Sequence, residues 1–198
     1  MAAPDRFYAE DTNGDGRADK REMLYTGFGE GNQQHRANGL RWGLDNWIYL
    51  ANGDSGGEIS SIETGTTVSL GHHDLRIRPD EGLLELVGGQ TQFGRNRNDA
   101  GDWFGCNNSN PLWHYVLDDA ALKRNPHFSP PHAIVHLPKV PGNAPVFPTS
   151  VTEERFNDFH TANCITSACG AMIYRGSLLG GPYLGNAFVC EPVHNLVH

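Results

Sequence analysis

The segment DTNGDGRADKRE, residues 11–22, carries the densest set of metal-ligating side chains in the chain. It fits the calcium loop D-x-[DN]-x-[DN]-G-x5-E. Asp11, Asn13 and Asp15 alternate as oxygen donors, and Gly16 permits the turn. The Arg17 carbonyl, Asp19 and Glu22 complete an all-oxygen set, which is the donor chemistry that calcium prefers. Histidines are the other reactive group. His127, His132 and His136 share a proline-rich stretch whose loop could gather a metal, and His114 and His194 are candidates to join His35 in a transition-metal site. His72 and His73 are adjacent, so their side chains diverge on a strand. Asn107, Asn108 and Asn110 beside Trp113 offer amides and an aromatic platform of the kind that meets a carbohydrate.

These residues need elements to hold them. The flanks of the calcium loop, DRFYAE and EMLYTGFGEGNQQ, sustain no apolar i, i+3, i+4, i+7 spacing. They read as two short strands, so the loop is expected to staple a hairpin rather than to join two helices. HRANGLRWGLDNWIYLANGDSGG (35–57) reads as strand, acidic turn, aromatic strand and Gly-Asp loop. The pattern returns in TQFGRNRNDAGDWFGCNNSN (91–110) and, with a longer turn, in 167–197. HHDLRIRPDEGLLELVGG (72–89) adds a hairpin whose Pro-Asp-Gly turn has a local mechanism. Recurrence of strand, turn and aromatic strand predicts an all-β chain built as a β-propeller with roughly three blades. A proline-rich inserted loop is expected over 118–160, with a short helix at Asp118–Arg124 and a helical turn capped by Thr152. The expected organisation is a single partial propeller over 1–198: the calcium hairpin in 1–34, blades in 35–117, the insert in 118–160 and a last blade in 161–198.

Composition narrows the partners. The chain has 198 residues with 24 glycines and 12 prolines, which suits a turn-rich β protein. Its net charge of −8 opposes a nucleic-acid footprint, which would be basic. No long apolar run exists to span a membrane, and MAAPDRFYAE has no signal-peptide pattern. Cys106, Cys164, Cys169 and Cys190 lack zinc spacing. The expected pairs are Cys169–Cys190 and Cys106–Cys164, and calcium with disulfides would suit a periplasmic or secreted protein.

His35, Leu40, Asp45, Ile48, Tyr49, Gly53, Asp54 and Gly56 together form H-x4-L-x4-D-x2-I-Y-x3-G-D-x-G. This pattern resembles the soluble quinoprotein glucose/sorbosone dehydrogenases, six-bladed propellers that use pyrroloquinoline quinone (PQQ). FGCNNSNPLWHYVL, RFNDFHTAN, TSACGAMIYRG and NAFVCEPVHNLVH are closer to one branch, the membrane-bound-dehydrogenase type of planctomycete and verrucomicrobial exported proteins, often joined to c-type haem modules. The resemblance implies oxidation of a sugar or alcohol, a c-type haem as electron acceptor, and His35 as the base that takes the hydroxyl proton while hydride leaves for the quinone. Asp54 would orient the site. Arg36 and Arg95 are candidates, by charge, for the quinone carboxylates. The chain departs from the dehydrogenase pattern at Gly39, where an arginine is expected, and in SGGEIS, which lacks a cofactor-contacting glutamine. Two alternatives stand beside the dehydrogenase: a non-catalytic calcium-stabilised binding module, and a lactonase-like metal hydrolase. With three blades of six, a homodimer that closes the propeller is also expected.

Overall fold

A computed structural model describes residues 3–117, 119–125, 127, 128, 133–149 and 163–198. The described chain is all-β apart from one four-residue α-helix, Asp119–Leu122, and short 3-10 turns. It forms two compact units, residues 1–90 and 91–198.

The first unit contains β1 (Arg6–Glu10), β2 (Lys20–Phe28), β3 (Asn38–Trp42), β4 (Ile48–Ala51), β5 (Gly57–Ser61), β6 (Thr67–Ser69), β7 (Asp74–Arg78) and β8 (Leu83–Val87). They make two four-stranded antiparallel sheets, ordered β1-β2-β5-β6 and β3-β4-β7-β8. Alternation supplies the core: Tyr25, Phe28, Leu50, Ile59, Leu70, Leu75, Ile77 and Leu84 pack together and are all buried. The β7–β8 turn closes as its sequence demands. Pro79 opens a 3-10 turn, and Gly82 takes the left-handed conformation that ends it (φ +60°). Arg76 faces Glu85 directly across the hairpin and binds its carboxylate at 2.6 Å. Arg6 anchors the first strand from inside. It lies 4.0 Å over the Phe28 ring and donates to the Ala37 carbonyl, and burial lowers its pKa to about 10.

The second unit contains β9 (Asn96–Arg97), β10 (Trp103–Asn107), β11 (Asn110–Tyr115), β12 (Ile134–His136), β13 (Pro145–Val146), β14 (Asn163–Cys164), β15 (Cys169–Ile173), β16 (Ala187–Glu191) and β17 (Leu196–Val197). Its sheets run β12-β11-β10-β9, β13-β14 and β15-β16-β17. A separate core gathers Cys106, Val146, Ile165, Ala168, Ala171 and Val189.

The structure departs from expectation here. The insert is not only loop: Ile134–His136 adds an edge strand to β11, and Pro145–Val146 pairs with Asn163–Cys164. Backbone groups on an open edge find a partner where β-branched residues allow it. Of the expected helix, Asp119–Leu122 is helical, and Asp118 and Thr152 lie outside the described residues. The disulfides are absent, since all four cysteines are free thiols. Cys106 is buried in the second core, which pushes its thiol up to about 11, and Cys164 donates to the Asn143 side chain. Cys169 and Cys190 stand opposite each other in β15 and β16, yet their sulfurs are not bonded.

Candidate functional site

One end of the sheet β3-β4-β7-β8 collects four polar side chains. In an antiparallel sheet in this order, the start of β3, the end of β4, the start of β7 and the end of β8 fall at the same edge. His35 ends the 3-10 turn Gln33–His35 before β3. Asp54 follows β4, His72 precedes β7, and Gln90 follows β8.

The four side chains make a chain of contacts. His35 Nδ1 lies 3.3 Å from Asp54 Oδ2, with both side chains about one-third exposed (32% and 36%). Gln90 Nε2 donates to Asp54 Oδ1 at 2.8 Å. Gln90 Oε1 lies 2.9 Å from His72 Nδ1. Asp54 is one of few non-glycine residues with positive φ (+76°). Such a conformation persists only where the surroundings over-determine it, and it clusters at functional sites.

The loop that carries Asp54 is built from inside. Asn52 is buried and fully used. Its backbone N–H donates to Asp74 Oδ1, its amide donates to the Gly71 and His73 carbonyls, and its Oδ1 accepts from Gly56. Asp74, also buried, receives Asn52 while its own N–H bonds the Gly89 carbonyl. This hub ties the ends of β4 and β8 to the start of β7. Gly53 then lets the loop touch the His35 segment. A Cβ at Gly53 would sit 2.2 Å from the Arg36 carbonyl oxygen and 2.7 Å from that of His35. Ser55 N–H completes the approach by donating to the His35 carbonyl at 2.9 Å.

The structure thus brings together His35 and Asp54, the two catalytic candidates. The arginines fare differently. Arg36 turns Nη2 to the Glu30 carbonyl. Arg95, in the second unit, is 5% exposed and lies 3.9 Å over the Tyr115 ring. A guanidinium sealed against an aromatic face is not placed to receive the carboxylates of a quinone, so Arg95 does not fit that role.

In the 11–22 hairpin the strands are as expected, with Glu10 opposite Lys20. Asp11 organises the loop: Oδ1 accepts from the N–H groups of Asn13, Gly14 and Asp15, and Oδ2 from Gly16. These bonds, Gly16 foremost, hold its carboxyl below the usual range. Asp19 is lowered likewise by Thr12, whose N–H and hydroxyl it accepts. Asn13 takes Asp15 N–H, and Asp15 takes Arg17 N–H. Glu22 sits in β2 opposite Tyr8. Among the described residues, no three His, Cys, Asp or Glu side chains converge as a group that could hold a metal.

Asn107 Oδ1 caps the β10–β11 turn by accepting from Ser109 and Asn110, and Trp113 is only 3% exposed. That asparagine-rich stretch is a hairpin turn rather than a carbohydrate platform. His114 stacks on Phe104, with ring centroids 4.9 Å apart. His136 packs edge-on against Trp113, and His132 lies outside the described residues. His194 is fully buried, with Nδ1 2.9 Å from Glu191 Oε1. Gln90 and His72 were not singled out from sequence as site residues. Nothing local marks them, because Gln90 reaches Asp54 across 36 positions.

No helix among the described residues is long and apolar enough to cross a membrane. No curated protein and no solved structure matches the chain. A family model described as "Domain of unknown function (DUF7133)" matches residues 1–198, and the chain therefore belongs to that family.

Proposed function

We propose that the chain carries a histidine–aspartate general-base site for the hydroxyl of a small sugar or alcohol, the proton-removing half of an alcohol dehydrogenation. The observation that carries this reading is the 3.3 Å approach of His35 Nδ1 to Asp54 Oδ2 at an exposed sheet end. A carboxylate only accepts hydrogen bonds, so the nitrogen facing it bears the proton. His35 Nε2 is then the basic nitrogen, and it receives the substrate O–H proton while Asp54 orients the ring and balances the imidazolium that forms. Loop 52–56 keeps that pair in register through Gly53 and the Asn52–Asp74 hub. The resemblance assigns the accompanying hydride to a quinone, whose chemistry would be two-electron acceptance. Arg95, buried over the Tyr115 ring, does not form its cradle. Three four-stranded antiparallel sheets, β3-β4-β7-β8 among them, support reading the chain as propeller blades.

Dye-linked alcohol oxidation by the intact protein, supplied with PQQ, tests the reading. His35→Ala should cut turnover by about 10²–10⁴, and Asp54→Asn should lower kcat more than it changes KM. Unchanged turnover in His35→Ala would refute the base and leave a binding or structural module.

The 11–22 loop is a candidate calcium staple. Its donors, Asp11, Asn13, Asp15, the Arg17 carbonyl, Asp19 and Glu22, are all oxygen and suit a hard cation. Asp11 already coils the loop around itself, and calcium would draw Asp15, Asp19 and Glu22 inward.

A further inference from the structure

We propose that Gln90 is a positioning residue for the His35–Asp54 pair and that His72 locks Gln90 in the orientation this requires. The proposal rests on the general-base reading of His35, and its test separates the two.

Asp54 fixes the direction of these contacts. Its carboxylate accepts and cannot donate, so the end of Gln90 that reaches Oδ1 at 2.8 Å is the Nε2 amide. The other end of the same planar amide is a carbonyl, Oε1, and it points to His72 Nδ1 at 2.9 Å. A carbonyl also only accepts, so His72 carries its proton on Nδ1. The polarity of every link is fixed by the one group that has no choice. Asp54 meets a partner at both oxygens: His35 Nδ1 lies 3.3 Å from Oδ2, and Gln90 Nε2 donates to Oδ1.

The two-point hold matters because the terminal torsion of an aspartate is broad. With one oxygen released, the carboxylate plane swings and Oδ2 no longer fixes the tautomer of His35. Gln90 is itself a partly exposed side chain, and its amide can turn over unless something distinguishes its two ends. His72 does so. A donor at Nδ1 favours the orientation with Oε1 outward, which is the one that presents Nε2 to Asp54. His72 is exposed and contributes nothing to either hydrophobic core, so its contact with Gln90 is what it offers the fold.

The test reads imidazole tautomers by ¹⁵N NMR on the full chain near pH 8, above the ordinary imidazole range, alongside steady-state turnover. In the unaltered protein His35 and His72 should both show the Nδ1–H form. Gln90→Leu should leave His35 a mixture of tautomers and lower kcat about 10-fold with KM unchanged, the scale of losing an outer partner that orients a histidine. His72→Phe, which leaves Gln90 in place, should shift His35 in the same direction. His72→Asn, whose amide N–H replaces Nδ1–H, should recover the tautomer that His72→Phe loses. A His35 tautomer and kcat indifferent to both Gln90→Leu and His72→Phe would overturn the proposal. If His35→Ala leaves turnover unchanged while the tautomer still follows Gln90, the positioning stands and the general-base reading falls.

Discussion

At the scale of single residues, Gly53 and Asp54 carry the most constraint. Both have positive φ, +71° and +76°, but for different reasons. Gly53 must lack a Cβ because the Arg36 and His35 carbonyls occupy its place. Asp54 accepts an unfavourable backbone to put its carboxylate between His35 and Gln90. Gly56 is the natural comparison, with φ +62° and nothing within 4 Å of a built Cβ. Gly53→Ala should therefore lose about 1–3 kcal/mol in chemical denaturation, from backbone strain plus the displaced loop. Gly56→Ala should lose about 1 kcal/mol from backbone alone. Equal losses would mean that the loop gives way at Gly53 without cost and does not hold Asp54 in register. His35, Gly53 and Asp54 stood out in the sequence because they lie in the motif that carries the dehydrogenase resemblance. Gln90 did not, since a lone glutamine after a strand has no local signature, and only sheet order brings it to Asp54.

The β1–β2 hairpin shows how much an element can settle by itself. Its loop is closed by bonds from side chains to backbone groups two to five residues on, so its turn follows from local chemistry. Whether an ion adds to it can be measured. Calcium at about 100 times its dissociation constant would stabilise the fold by about 2.7 kcal/mol. Thermal melts in millimolar calcium should thus lie above those in chelator, and Asp15→Ala or Glu22→Gln should shrink the gap. Superimposable melts would show that the Asx bonds alone close the loop. The insert is the opposite case. Proline-rich composition pointed to a loop over 118–160, but Ile134–His136 became a strand because the exposed edge of β11 offered it partners. Edge pairing depends on what lies alongside, and composition cannot report that.

At the scale of the molecule, each of the two units has its own core, Tyr25 to Leu84 in the first and Cys106 to Val189 in the second. The whole candidate site, from His35 to Gln90, lies in residues 1–90. A fragment of residues 1–90 should accordingly give dispersed amide spectra and keep the Nδ1–H tautomer of His35. A collapsed spectrum from that fragment would mean that the first core needs residues beyond 90 to fold.

The sequence by itself determined what short-range chemistry can reach: the strands, from alternation; the β7–β8 turn, from Pro79 and Gly82; and the coiled loop around Asp11, from Asx spacing. Only the tertiary structure decided which charged groups were left to act. It buried Arg95 against Tyr115, sealed His194 beside Glu191, kept four thiols unbonded, and turned Trp113 inward. Burial and the convergence of strand ends depend on sheet order, and β4 pairs with β7 across the intervening β5 and β6. Residue spacing carries no trace of that choice, because the free energy that selects it comes from packing side chains far apart in the chain.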